Sequence, residues 1–213
     1  SDLMKNKKRY EGGWENSLIG GHTLGHYMSA VAQGIVNPGV TAEEKEKLTE
    51  RLNYIIDALN DCQKKTDGVN GLEGYIFGAT LPNSSFKKNV ALQFDNVEKG
   101  RANIATEAWV PWYTMHKILA GLVDSYQIAG NKTALEVANK LGTWIADRAN
   151  NWSSSTQSTV LDIEYGGMND ALYQLYKVTD VSNKEDFYKA AHQFDETSLF
   201  ESVLAGSKNV LNG

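Results

Sequence analysis

PWYTMHKILAGLVDSYQIAGNKTALEVANKLGTWI, Pro111 to Ile145, is the stretch on which the fold turns. Trp112, Tyr113, His116, Leu119, Ala120, Val123 and Tyr126 recur at steps of three and four, in a stripe that opens with Trp109 just upstream. That period places them on one face of a helix. Gly130 follows, a residue that accepts positive φ at a helix C-terminus without steric penalty. Asn131 then offers a side-chain oxygen to cap a second helix, whose apolar face is Leu135, Ala138, Leu141, Trp144 and Ile145. Two amphipathic helices joined so tightly predict an antiparallel hairpin.

The same pattern extends both ways. Thr41-Ala-Glu-Glu44 reads as a capping box, and Leu48, Leu52, Ile55, Ile56, Leu59 and Cys62 continue it as a long amphipathic helix with Cys62 as a buried thiol. Downstream, Met168, Ala171, Leu172, Leu175 and Tyr176 make another stripe, and Ser182 with Glu185 reads as a second capping box ahead of Phe187, Ala190, Ala191 and Phe194. Leu122, Tyr126, Ile128 and Gly130 match Leu172, Tyr176, Val178 and Asp180 at an offset of 50, while Asn131, Lys132 and Leu135 match Asn183, Lys184 and Phe187 at an offset of 52. A two-helix repeat of that length predicts stacked α-hairpins. No segment sustains the alternation a sheet needs. The exception to helical order is residues 66–106, a long irregular loop holding Pro82, with Gly74–Phe77 as a short strand.

Three polar motifs sit where the first helix of each hairpin begins: GGHTLGH (Gly20–His26), WVPWYTMHK (Trp109–Lys117) and EYGGMND (Glu164–Asp170). Alternate helices of such a chain run in the same direction, so these motifs gather at one mouth. An all-α α/α toroid has this character, with inner helices lining a cavity and outer helices coating them. Six hairpins of roughly 50 residues need about 300 residues. The 213 here supply about three, so half of an (α/α)6 barrel is expected over residues 10–213, preceded by a frayed, lysine-rich end at residues 1–9.

Composition narrows the function. With 26 acidic against 21 basic residues and a net charge of −5, the chain has no cationic stripe for nucleic acid. No apolar run reaches the roughly 20 residues of a membrane span. A single cysteine cannot form an internal disulfide or a multi-thiolate zinc site. No phosphate cradle or nucleophile elbow is present. The cellular compartment stays open.

Within the motifs, His22 and His26 stand four apart, a spacing compatible with two ligands to one metal, with sugar hydroxyls, or with structural hydrogen bonding. The residues between them lack the glutamate of a zinc-protease motif, and no metal site is assigned. His116 lies one turn beyond Trp112 and Tyr113, aromatics of the kind on which sugar rings stack. Trp109 reads as core packing. Glu164 and Asp170 bracket Gly166-Gly167, where backbone can approach a ligand closely. Glu15, after Gly12-Gly13-Trp14, is a weaker example of the same kind. His192 reads as solvated on an outer helix.

YEGGWEN (Tyr10–Asn16), GGHTLGHYMSA (Gly20–Ala30), PWYTMHKILAGLVDSY (Pro111–Tyr126) and EYGGMNDALYQLY (Glu164–Tyr176) together resemble the N-terminal part of the β-L-arabinofuranosidases of glycoside hydrolase families 127 and 146. The likeness runs from Tyr10 to about Phe200. It implies an (α/α)6 catalytic barrel in retaining exo-glycosidases that remove L-arabinofuranose from plant glycans. Their nucleophile is a zinc-bound cysteine thiolate, paired with a glutamate acid/base; zinc keeps the sulfur deprotonated. Those cysteines and that glutamate lie C-terminal of the likeness, and Cys62 matches none of them. The chain is thus expected to supply the wall of the sugar pocket, to lack catalytic residues and cofactor of its own, to be inactive alone, and to need the rest of the barrel as partner. By the resemblance, His22, His26, His116 and Glu164 are pocket candidates, with Trp112 and Asn169 behind them. Another α/α-toroid enzyme, such as a polysaccharide lyase or sugar epimerase, remains open, as does a non-catalytic helical repeat that binds glycan or protein.

Overall fold

The computed structural model describes residues 15, 17–79, 81, 91–164 and 166–208. The expected frayed end at residues 1–9 and most of YEGGWEN lie outside them. The fold is all-helical. Its helices are α1 (His22–Val36), α2 (Ala42–Gln63), α3 (Leu92–Val97), α4 (Pro111–Gln127), α5 (Lys132–Ala149), α6 (Ser154–Ile163), α7 (Met168–Val178), α8 (Lys184–His192) and α9 (Thr197–Leu204).

Three hairpins carry the architecture: α1 with α2, α4 with α5, and α7 with α8. Their first helices pack side by side in the order α1, α4, α7, and their second helices form a parallel row in the order α2, α5, α8. This is the two-layered arrangement of an α/α toroid. The apolar stripes meet between the layers, where Met28, Leu52, Ile56, Leu119, Leu122, Leu141, Leu172 and Phe187 are buried.

Local chemistry sets the boundaries. Thr41 and Glu44 form the expected capping box at the start of α2, and Asn131 caps α5 through the Ala134 N–H. Gly130 turns the chain at φ 72° between α4 and α5. Pro111 opens α4 at a position where a missing N–H costs nothing. The second expected box does not form: Asn183 precedes α8 and no side chain caps it. Three helices have no counterpart in the apolar stripes, namely α3, inside the expected irregular loop, α6, capped by Ser153, and α9, none of whose residues is buried.

Within the inner layer, α1 and α4 approach closely. A Cβ on Gly25 would stand 2.0 Å from the Lys117 carbonyl oxygen, and one on Gly121 would stand 2.6 Å from that of Gly25. Glycine is needed there because backbone meets backbone. His22 beside Tyr113, Gly25 against Lys117 and Met28 against Gly121 advance together along both helices, so α1 and α4 run parallel.

The long connection between α2 and α4 is more ordered than its composition predicts. Gly74–Phe77 forms no strand; Tyr75 and Ile76 enter the core instead, with the Tyr75 ring 4.9 Å from that of Trp144. Helix α3 sets Phe94 among Phe77, Trp112 and Trp144, with ring centroids 5.0, 4.7 and 5.2 Å away. Arg148 clamps α3 to α5 through Glu98 and Asp95, each contact 2.5 Å. Cys62 is exposed, against expectation. The buried face of α2 runs Leu52, Ile56, Leu59 and Gln63, and the Gln63 amide donates to the Gly74 carbonyl at 2.8 Å and the Val137 carbonyl at 3.1 Å. A thiol, with one weak S–H donor, could not satisfy both.

Candidate functional site

The N-terminal ends of α1 and α4 and the turn before α7 enclose a cleft of about 410 Å³, lined by Ile19, His22, Trp109, Val110, Tyr113, Ile163 and Glu164. All three polar motifs contribute to it. Parallel inner helices bring their first turns to one end, which is how residues so distant in sequence share a wall.

Glu164 ends α6 in extended conformation and reaches across to the start of α4. Its Oε1 accepts the Trp112 N–H at 3.2 Å and its Oε2 the Tyr113 N–H at 3.0 Å. These are two of the N–H groups a helix leaves unpaired at its start. The carboxyl is 6 % exposed. Burial pushes it up to about 8, against the pull of both N–H donors. It therefore holds a proton at neutral pH, a buried acid set beside polar backbone.

His22, at the first position of α1, lines the opposite wall, and its ring centroid is 6.5 Å from that of Tyr113. Its Nδ1 lies 3.0 Å from Glu15 Oε1. Glu15 also accepts the Gly21 N–H at 2.6 Å and the Thr23 N–H at 3.1 Å. Lys117 lies over the Tyr113 ring, 4.9 Å from its centre.

The other expected residues fall elsewhere. His116 is buried one layer below the cleft, under the glycine pair: a Cβ on Gly167 would stand 2.3 Å from its Nε2. Burial, and next the charge of Lys117, lowers it to about 4 against an opposing pull from the Tyr113 backbone, so the ring is neutral. His26 is exposed one turn beyond His22 and is likewise lowered, by partial burial and then by Lys117 and His22. Asn169 turns away and donates to Asp195 at 3.2 Å. His192 is half exposed but not simply solvated, since its Nδ1 lies 2.7 Å from Asp195.

The two tryptophans exchange their expected places. Trp112 is 2 % exposed and packs edge-on against Phe94, Trp152 and Phe194, whereas Trp109 lines the cleft. Helix α4 starts at Pro111, so Trp109 stands on the entry segment and does not share the helical stripe. Trp109 is held by the buried Gln93, whose Oε1 accepts its N–H at 3.1 Å. Gln93 Nε2 donates in turn to the carbonyls of Leu18 and Ala79. Nothing in the local sequence marks Gln93, because its partners are backbone groups from three separate segments.

A glutamate-and-cysteine zinc set does not fit this chain's residues. Its one cysteine is exposed on α2 in the outer layer, and among the described residues no three His, Cys, Asp or Glu side chains gather closely enough to hold a metal ion. Among the same residues, no helix is long and apolar enough to cross a membrane.

Residues 2–211 match the family model described as beta-L-arabinofuranosidase, GH127 catalytic domain. No curated protein matches at a significant level. The chain belongs to glycoside hydrolase family 127, one of the two families its motifs resemble.

Proposed function

We propose, taking this membership as the premise, that the chain forms the sugar-binding wall of a glycoside hydrolase that removes β-linked L-arabinofuranose from plant-type glycans. The observation that carries the reading is the single cleft shared by His22, Tyr113, Trp109 and Glu164, one residue or more from each polar motif. Such a cleft suits a neutral sugar. Trp109 and Tyr113 offer aromatic surface to the C–H faces of a ring, while His22 and Glu164 offer hydrogen-bonding groups at its edge.

In this reading Glu164 binds a sugar oxygen and at the same time holds the first turn of α4 in place. His116 supports the Gly166-Gly167 turn from beneath, and His26 stands apart, exposed one turn along α1. Asn169 and Trp112 shape the fold and leave the sugar to their neighbours. No bond-breaking step falls to this chain's own residues, since the family's zinc–thiolate chemistry would need a cysteine and glutamate set that they do not provide.

The test is release of p-nitrophenol from p-nitrophenyl β-L-arabinofuranoside by a form of the protein that carries the cysteine-bearing remainder. The expected result is turnover that a zinc chelator abolishes and that Glu164→Gln and His22→Ala each reduce at least tenfold. An unsaturated sugar product would instead mark a lyase. Absence of turnover from every such form, with glycan still bound, would favour a non-catalytic binding module.

A further inference from the structure

We infer that Glu15 and the Ile19 carbonyl hold His22 in the tautomer protonated at Nδ1, so that Nε2 serves the cleft as an acceptor and its occupant must present a hydroxyl or N–H donor there. The inference rests on the reading of the cleft as a sugar site, and deepens it by naming the polarity of one contact.

His22 Nδ1 lies 3.2 Å from the Ile19 carbonyl oxygen and 3.0 Å from Glu15 Oε1. A carbonyl oxygen has no proton to give, and an ionised carboxylate has none either. With two acceptors converging on one ring nitrogen, that nitrogen carries the hydrogen. In a neutral imidazole the other nitrogen then keeps a free lone pair.

Glu15 is held for this task. Burial alone would raise its carboxyl, but hydrogen bonds from the Thr23 side chain and from the Gly21 and Thr23 N–H groups bring it below the usual carboxylate range. It sits at the N-terminus of the 15-residue α1, where the helix dipole also favours negative charge. Thr23 Oγ1 stands 3.5 Å from His22 Nε2, beyond the usual hydrogen-bond distance, so it competes weakly with a ligand donor there. Glu15 is thus a positioning residue acting through His22. A sugar hydroxyl meets the requirement at Nε2, whereas an ether or carbonyl oxygen in the same place does not.

Long-range ¹H–¹⁵N NMR of the labelled protein reads the tautomer directly, with His22→Gln assigning the signals. The expected spectrum of the neutral ring shows a protonated Nδ1 and an unprotonated Nε2; a ring protonated mainly at Nε2 overturns the inference. Glu15→Gln keeps an oxygen for the cap of α1 but removes the charge. It should let both tautomers appear and weaken L-arabinose binding about tenfold by calorimetry, with Glu15→Asp recovering part of the loss. An unchanged tautomer in Glu15→Gln overturns the role of Glu15, since a residue that merely capped the helix would give that result. If L-arabinose fails to bind the unaltered protein, the sugar reading falls and the tautomer spectrum alone decides this inference.

Discussion

The inner layer has two seams, and they are closed by opposite means. Between α1 and α4, Gly25 and Gly121 let the helix backbones touch. Between α4 and α7 the tie is polar: Glu164 spans to the Trp112 and Tyr113 N–H groups, and the His116 ring fills the space beneath Gly167. The first seam holds by shape. The second holds by hydrogen bonds and a buried titratable pair, and it borders the cleft. Where a molecule needs chemistry as well as rigidity, it accepts the desolvation of polar groups that a purely apolar seam avoids.

Substitution at the glycine seam should do the most damage. Gly25→Ala places a methyl 2.0 Å from a backbone oxygen, which no side-chain rotation relieves. A loss of about 3 kcal/mol or more is expected in urea denaturation, enough to unfold a marginal chain. A loss under about 1 kcal/mol would mean that the two helices separate freely, against the rigid seam described above.

At the polar seam, Gly167→Ala meets the His116 ring at φ 68°. About 2 kcal/mol of destabilisation should follow, from the clash together with left-handed backbone. Here a side chain, not backbone, is the obstacle, so adding His116→Ala should return part of the loss in a double-mutant cycle. No such rescue exists for Gly25.

The seams should also part company when pH is varied. Glu164 titrates near 8 in the folded chain against an ordinary 4.5, so between those values the folded state keeps a proton that the unfolded chain has lost. Stability therefore falls as pH rises through that window. His116, lowered to about 4 from 6.5, acts the other way, and its contribution is lost as pH falls below 6.5. The two oppose each other at acid pH, and above 6.5 Glu164 acts alone. Denaturation midpoints should decline there by up to about 1 kcal/mol per pH unit, and Glu164→Gln should flatten the decline. The smallest effect belongs to the cleft wall: Trp109→Leu should change stability by less than about 1 kcal/mol yet abolish the L-arabinose-induced change in tryptophan fluorescence.

Much of this is legible in the sequence. The hairpins, the caps at Thr41 and Asn131, and the gathering of three motifs follow from period and local hydrogen bonding. The exchange of Trp109 and Trp112 did not, because it depends on whether the helix begins before or after Pro111. A stripe counted from Trp109 carries the helical period two residues too far back. Cys62 was misplaced for a related reason: apolar character pointed to it, while the carbonyls of Gly74 and Val137 required the amide of Gln63 one residue later. His116 was recognised as a residue of the site but not as its underlay, since the glycine that rests on it is 51 positions away. Contacts made by backbone from remote segments leave no local trace, and Gln93 is the clearest case.

The glycine contact at α1 and α4 also determines how the cleft is able to move. Those two helices are geared tooth to tooth and cannot slide or part without breaking backbone contact, so the wall bearing His22 and Tyr113 is a fixed jaw. The opposing jaw, built on Glu164 and the Gly166-Gly167 pair, meets it through two hydrogen bonds and one imidazole ring. Any grip on a guest is therefore tightened or released from the α7 side.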